Sequence, residues 1–264
     1  MSALSAQRLR ALARRVVPVV VAIVCLGLLW QLAATRAGND QHILPPPGAV
    51  WQALLVQREP LALHAGVTLW ETIVGFLAAL AAGLVAGVAL DASPWLRQAL
   101  YPLLVTSQTV PIITLAPLLV LWFGAGLASK AIVVLLVCFF PIAVALADGL
   151  RATDPELMKL FRTFGAGRWR IFWLVRLPGA LPSLFSGVRI AITYSVIGAI
   201  FSEYVGASAG LGFFMQQKQK GFAVPAVIAA IAVTALLSIA LFALVTLIER
   251  LSLPWFFQTR REPS

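Results

Sequence analysis

The chain has 264 residues, 61% of them hydrophobic and 11% charged, with a mean hydropathy of +0.93 and a formal net charge of +10. A soluble domain carries roughly 45–50% apolar and about 25% charged residues, and a water-soluble fold cannot hide this much apolar surface at this length. Lipid must be its solvent over much of the chain. Nucleic acid is excluded as well, because the basic residues form no stripe with interleaved stacking aromatics but sit at the ends of apolar runs, where membrane topology puts them.

Crossing about 30 Å of hydrocarbon takes roughly 20 apolar residues in a helix. Taken in chain order, the predicted spans are Val16–Ala34, Gly66–Leu90, Leu100–Phe123, Ser129–Leu146, Leu181–Tyr204 and Val224–Ile248. The first follows Arg8, Arg10, Arg14 and Arg15, but its apolar stretch exceeds a signal h-region and no small-x-small cleavage site follows it. It is read as a retained helix. Between spans one and two, Pro45-Pro46-Pro47 predicts an extended stretch leading into a short interfacial helix. Span three carries Pro102, Pro111 and Pro117, whose freed carbonyls need protein or a water-lined cavity to satisfy them. After span five, "GASAGLGFFMQQKQKG" reads as a glycine-rich outer loop.

Six spans leave both termini on one side. Fourteen lysines and arginines fall on that side, from Arg8 to Arg261, against five on the other: Arg36, Arg58, Lys130, Lys218 and Lys220. The positive-inside rule therefore places both termini in the cytoplasm.

On the same side lies the one basic, broken stretch of the chain. In "TDPE", Thr153 caps a helix with Glu156 answering three residues on, or Asp154 caps it with Pro155 in the first turn. Leu157, Leu160, Phe161 and Phe164 then share one helical face, and Gly165 supplies the left-handed stop. A second short helix is expected from Gly167 to Arg176, with Trp169, Phe172 and Trp173 for the membrane interface, before Pro178 and Pro182 lead into span five. Two readings fit this knuckle: an amphipathic hairpin whose arginines only fix topology, or a docking surface for a visiting protein.

Small residues recur every four positions at Gly75, Ala79, Gly83 and Gly87, predicting a close helix–helix contact. Ionisable residues inside spans are costly and often functional. Arg189 and Glu203 therefore stand as candidates for the translocation path, with Thr109, Pro111 and Tyr194, or else as members of buried pairs or side chains snorkelling to the interface; Glu71 reads better in one of those two latter ways. Thr106, Ser107, Gln108, Thr109 and Thr114 offer hydrogen bonds to a polar solute, or bond back to their own helix. Cys25 and Cys138 lie within apolar runs and make neither a disulfide framework nor a thiolate metal site. His42 and His64 stand far apart, with no ligand-spaced partner for a metal. His64 reads as an interfacial residue ahead of span two.

Gly165, Val175, Leu177 and Pro178 stand at a spacing that resembles the EAA loop of bacterial ABC importer permeases, written EAA-x3-G-x9-I-x-LP. In place of Glu-Ala-Ala the chain has Lys159-Leu160-Phe161. "LPPPGAVWQAL", "GFLAALAAGLVAGVALDASPWL", "PLLVLWFGAGLASK", "FFPIAVALADGLRATDPEL" and "SEYVGASAGLGFFMQQ" extend the resemblance over nearly the whole chain. They resemble the branch importing nitrate, sulfonates, taurine and thiamine-precursor pyrimidines. The resemblance implies an all-α polytopic bundle of type I importer (MetI-like) architecture, with residues 1–264 one permease domain and residues 153–176 its coupling segment. It further implies a bacterial inner-membrane homodimer with two ABC ATPase subunits and an extracytoplasmic substrate-binding protein. ATP is then used by the partner, and this chain binds no cofactor. Docking on the ATPase would fall to Leu157, Lys159, Leu160, Phe161, Arg162, Phe164 and Gly165. No G-x4-G-K-[ST] loop occurs in the chain. An ion-coupled secondary transporter is the rival, but it would leave the cytoplasmic knuckle without a task, and no inverted repeat supports it. A membrane-embedded enzyme would need a clustered His/Asp/Glu or Ser/His constellation. The substrate is expected to be a small organic solute, pyrimidine-like ahead of sulfonate.

Overall fold

The computed structural model describes residues 2–36, 38 and 43–259, which leaves His42, Arg260 and Arg261 outside the described residues. Every regular element among them is helical: α1 (Ser2–Arg36), α2 (Pro47–Val56), α3 (Arg58–Ala92), α4 (Pro94–Ser107), α5 (Ile112–Phe123), α6 (Leu127–Arg151), α7 (Pro155–Thr163), α8 (Arg168–Ile171), α9 (Leu177–Glu203), α10 (Leu211–Lys220), α11 (Val224–Ser252) and α12 (Pro254–Thr259). A π-helical turn, Phe172–Arg176, joins α8 to α9. Among the described residues, four stretches are long and apolar enough to cross a membrane: Arg58–Ala92, Leu127–Arg151, Arg168–Glu203 and Val224–Ser252. Val20–Arg36 and Thr114–Phe123 are shorter apolar helices.

The chain divides into two compact units. The smaller takes the described residues of Met1–Pro60 with Met215–Ile231. Its α1 exposes Val20, Ile23, Val24, Leu26 and Leu29, the surface expected of a helix solvated by lipid. Trp30 donates its indole N–H to the Pro45 carbonyl at 3.0 Å, which fixes the chain between α1 and α2. Pro46 is extended (φ −67°, ψ 153°) and Pro47 opens α2, because its fixed φ suits a first helical turn.

The larger unit takes Leu61–Phe214 with Ala232–Ser264. At its centre α6 is packed by α3 on one side and α9 on the other. A Cβ on Gly75 would meet Val134 Cβ at 2.5 Å, one on Gly83 would meet Ile142 Cγ2 at 2.8 Å, and one on Gly87 would meet Leu146 Cβ at 2.9 Å. The small-residue stripe of α3 therefore lies flat on α6, as its four-residue period predicts. Ascending numbers meet ascending numbers, so α3 and α6 run parallel. Gly187 seats against Pro141 and Ala145, and Gly198 against Val137 and Val134, so α9 runs the other way. Phe76, Val134, Cys138, Ile142, Leu146, Val188, Ile192 and Val196 fill the space between these helices, joined by Leu241 and Val245 of α11.

Several elements differ from expectation. Span two begins at Arg58, eight residues before the predicted Gly66, because nothing from Arg58 to Gly66 interrupts the helix beyond Pro60 in its first turn. Span three is not one helix. α4 ends at Ser107 and α5 starts at Ile112, since Pro111 lacks the N–H that would bond back into the preceding turn. The glycine-rich loop after α9 is short; from Leu211 the "LGFFMQQKQK" stretch is helical as α10.

Candidate functional site

The broken basic segment folds as one short helix with a defined start and stop. Asp154 is the N-cap, its Oδ1 accepting the Glu156 N–H at 2.8 Å, with Pro155 in the first turn. Thr153 instead donates to the Leu150 carbonyl at 3.0 Å and so closes the end of α6. α7 stops in a Schellman arrangement. Gly165 has φ +76°, its N–H donates to the Arg162 carbonyl at 2.9 Å, and the Ala166 N–H reaches the Phe161 carbonyl at 3.0 Å. Phe164 is 79% exposed, Leu160 50% and Leu157 40%, while Phe161 is half-buried. Lys159 and Arg162 are exposed beside them. An apolar edge rimmed by two cations is thus presented on a helix of nine residues.

The expected second helix, Gly167 to Arg176, is not a separate element. From Arg168 it runs into α9 as one 36-residue helix. Pro178 and Pro182 lack the N–H groups of a regular ladder. The chain widens ahead of them into the π-turn, where the Leu177 N–H bonds the Phe172 carbonyl, five residues back. Of the loop motif, Val175 is buried while Leu177 and Pro178 start α9. Arg176, between them, donates to Asp91 Oδ1 at 2.7 Å and to the Leu150 carbonyl at 3.0 Å. One guanidinium therefore ties the ends of α3 and α6 to the start of α9, directly beside α7.

The path candidates fall into three separate places. Thr109 and Pro111 lie in the α4–α5 break. The Thr109 hydroxyl bonds the Thr106 carbonyl at 2.7 Å, and Thr106, Ser107 and Thr114 likewise bond carbonyls three or four residues back. Tyr194 is half exposed and lines a cavity of about 530 Å³ with Gln108, Phe140, Pro141, Ser186 and Ile190. Arg189 forms an ion pair with the buried Glu249 and reaches Ser186 Oγ at 3.2 Å. The third place holds Glu203, in a buried polar cluster with no opening to that cavity among the residues that line it.

That cluster was not legible as a site. Glu203, 1% exposed, accepts the Thr68 hydroxyl at 2.7 Å on Oε1 and the Gly212 N–H at 2.5 Å on Oε2. Thr68 Oγ1 also accepts the Leu211 N–H at 2.8 Å, and His64 Nδ1 accepts the Gly210 N–H at 3.0 Å. Three consecutive amides at the start of α10 are thus each held by a different side chain. His64, read from the sequence as an interfacial residue ahead of span two, stands inside α3, its ring against Phe213 and Phe214. Beside this group, Lys130 Nζ pairs with Glu71 Oε1 at 2.5 Å, which makes the expected buried partner of Glu71 a lysine that the topology count had placed at the outer surface. The Glu71 and Glu203 carboxyls are neighbours, and Glu71 Oε2 has no hydrogen-bond partner. One signal existed in the sequence: His64, Thr68 and Glu71 fall at i, i+4 and i+7, a polar stripe on an otherwise apolar helix. Among the described residues no group of three or more His, Cys, Asp or Glu side chains stands ready to hold a metal ion.

The model of the family "Binding-protein-dependent transport system inner membrane component" matches residues 79–252. The formylaminopyrimidine transport permease protein ThiX of Halalkalibacterium halodurans is 37% identical over 231 residues, 87% of this chain and 92% of the relative. The riboflavin transport system permease protein RibX of Chloroflexus aurantiacus is 37% identical over 239 residues, 89% of this chain and 88% of the relative. Among solved structures, an inward-facing conformation of the MetNI methionine ABC transporter superposes with a TM-score of 0.61 at 23% identity, covering 69% of this chain and 91% of that one, a likeness of fold. With a family match across most of the α3–α6–α9 bundle and relatives aligned nearly end to end, the chain belongs to the inner-membrane components of binding-protein-dependent transport systems, the multi-pass permeases of ABC importers.

Proposed function

We propose that this chain forms the passage for a small organic solute and is driven by a separate ATPase subunit that docks on α7. The observation that carries this reading is the α7 geometry: a helix fixed at both ends, presenting Leu157, Leu160 and Phe164 to a visitor instead of to its own core. The arginines and lysines around it put this face in the cytoplasm by the positive-inside rule, with six crossings and both termini inside. Two copies of the chain, two ATPase subunits and an extracytoplasmic binding protein would complete the transporter, with ATP handled by the partner and none by this chain. The whole chain acts as one permease domain, with residues 153–176 as its coupling segment.

ATP binding draws the ATPase subunits together and carries α7 with them. Because Arg176 fastens the start of α9 to Asp91 and Leu150, the push reaches α3, α6 and α9 together. The cavity beside Tyr194 is the part of the passage this chain contributes. Its volume of about 530 Å³ falls within the roughly 300–1,000 Å³ usual for small-ligand sites. Gln108, Ser186 and Tyr194 are polar, no lysine or arginine stands among its lining residues, and the nearby Arg189 is engaged by Glu249. Such a lining suits a neutral planar heterocycle, a thiamine-precursor pyrimidine or a riboflavin-like ring, better than a sulfonate. The pyrimidine and riboflavin permeases among its relatives point the same way.

The test is uptake by proteoliposomes holding the permease, its ATPase and its binding protein. Phe164→Glu should abolish ATPase capture and reduce uptake of a labelled pyrimidine by about a hundredfold, the loss of an interface anchor of roughly 2–3 kcal/mol. Membrane insertion should be unchanged. Normal uptake by this variant would refute the docking role, and uptake of taurine in preference to a pyrimidine would refute the substrate class.

A further inference from the structure

The Glu203 cluster has no place in that account, yet its side chains bond three consecutive backbone amides. A helix start leaves its first amides without intrahelical partners, and a single N-cap side chain satisfies one of them. Here three side chains from two helices serve Gly210, Leu211 and Gly212 in turn. The chain has also adapted to let them in. Gly210 has φ +114°, and a Cβ there would strike the Glu203 carboxyl; one on Gly212 would lie 2.6 Å from the Ile200 carbonyl and 2.9 Å from Glu203 Cβ.

Two features make this more than an anchor. First, the frame and the held segment are built differently. His64, Thr68 and Glu203 stand on α3 and α9, both seated on α6 through glycine contacts. The segment they hold, Gly206 to Gly210, has only Gly, Ala and Ser, with positive φ at each end. It leans on α5: a Cβ on Gly206 would lie 3.4 Å from Val120 Cγ1, and Val205 packs against the Ala116, Leu119 and Val133 cluster. α5 itself is cut from α4 at Gln108–Pro111, and Gln108 lines the Tyr194 cavity. Second, the electrostatics offer a substitute partner. Lys130 pairs with Glu71, whose carboxyl neighbours that of Glu203, and Glu71 leaves an oxygen unbonded. If the amides of α10 depart, Lys130, whose ammonium has three N–H donors, can bridge to Glu203 while keeping Glu71, so that neither carboxylate is left alone.

We propose that His64, Thr68 and Glu203 form a latch that holds the Gly206–Gly212 segment in one state of the transport cycle and releases it, with α5, in the other, Lys130 bridging from Glu71 to Glu203 on release. Thr68 and Glu203 are positioning residues here; neither need touch the solute. The proposal rests on the importer reading, because ATP-driven movement supplies the second state. A latch differs from a permanent helix cap in needing two discrete arrangements that ligands bias differently.

The test is backbone hydrogen exchange at residues 210–212 in the assembled transporter, nucleotide-free and then with a non-hydrolysable ATP analogue plus binding protein. Release should speed exchange at these amides by about tenfold or more in one of the two states, while amides of α6 stay equally protected in both. Equal protection at 210–212 in both states would overturn the latch and leave the importer reading standing. Failure of any ATPase to join the complex would remove the importer reading, and the latch with it. As a second arm, Thr68→Val deletes the hydroxyl that joins Glu203 to Leu211. It should give fast exchange in both states and lower the kcat of uptake about fivefold, with KM for the loaded binding protein unchanged. Thr68→Ser should restore both. A Thr68→Val transporter with wild-type exchange and uptake would also overturn the proposal, and the wild-type comparison decides the matter should that variant fail to fold.

Discussion

Gly165 and Gly210 both hold a positive φ, and both precede or follow a short helix, yet their surroundings are opposite. A Cβ added at Gly165 meets nothing within 4 Å, whereas one at Gly210 runs into the Glu203 carboxyl. Gly165 ends a helix whose apolar edge stands open; Gly210 begins one whose amides are all spoken for from inside. The two lie toward opposite ends of the α3–α6–α9 bundle, since Arg176, Asp91 and Leu150 gather near α7 while the start of α3 and the end of α9 gather at Glu203. At one end the first amides of α10 are bonded from within the chain, and at the other an apolar edge stands uncovered. On the docking proposed above, that contrast suits a transmitter, with the open edge as its input surface.

The closed end is broken most severely through its single ammonium. Lys130→Met leaves Glu71 buried without a counter-charge, and removing one partner of a buried pair costs about 3–5 kcal/mol. Thermal unfolding in detergent should therefore drop sharply. The double variant Glu71→Leu with Lys130→Leu removes both charges together and should recover most of that loss, because two apolar side chains replace a pair whose desolvation already offsets much of its attraction. Equal damage from the single and double variants would mean that the packing of Lys130, not its charge, carries the effect.

Next in size is Gly210→Ala. The added methyl must displace the Glu203 carboxyl from its two hydrogen bonds, and overpacking of this kind costs about 1–3 kcal/mol before any backbone strain is counted. The loss should appear in the same unfolding measurement, with exchange at residues 210–212 raised in every state. An alanine that left both unchanged would show that Glu203 has room to move aside.

How much of this contrast was legible in the sequence follows from the range of the interactions. α7 is local: its cap, its apolar period and its glycine stop lie within twelve residues, and the choice left open was only whether Thr153 or Asp154 held the cap. The α3 stripe was legible because a four-residue period of small residues has one reading in lipid. The cluster at Glu203 was not, because Thr68 and Glu203 are separated by 135 residues and nothing in either neighbourhood names the other. Arg189 was noticed, but its partner Glu249, sixty residues further along, was not named. The continuous Arg168–Glu203 helix was hidden by Pro178 and Pro182, since a π-turn that absorbs two prolines has no periodic signature.

The smallest expected effect tests the open end. Gly165→Ala introduces no steric contact, so its whole cost is the left-handed backbone of a residue with a Cβ, about 1–2 kcal/mol. That strain falls on a stop that two backbone hydrogen bonds hold in place, so the chain can relieve it by fraying the last turn of α7 instead of unfolding the bundle. Global unfolding should then move by less than for Gly210→Ala. ATPase capture should weaken measurably, because fraying turns Phe164 away from Leu157 and Leu160. Gly165→Asn, which tolerates the left-handed region better, should sit between alanine and wild type in capture. If alanine and asparagine bound the ATPase as tightly as glycine, the orientation of Phe164 would not depend on how α7 ends, and the open edge would have to act through Leu157 and Leu160 alone.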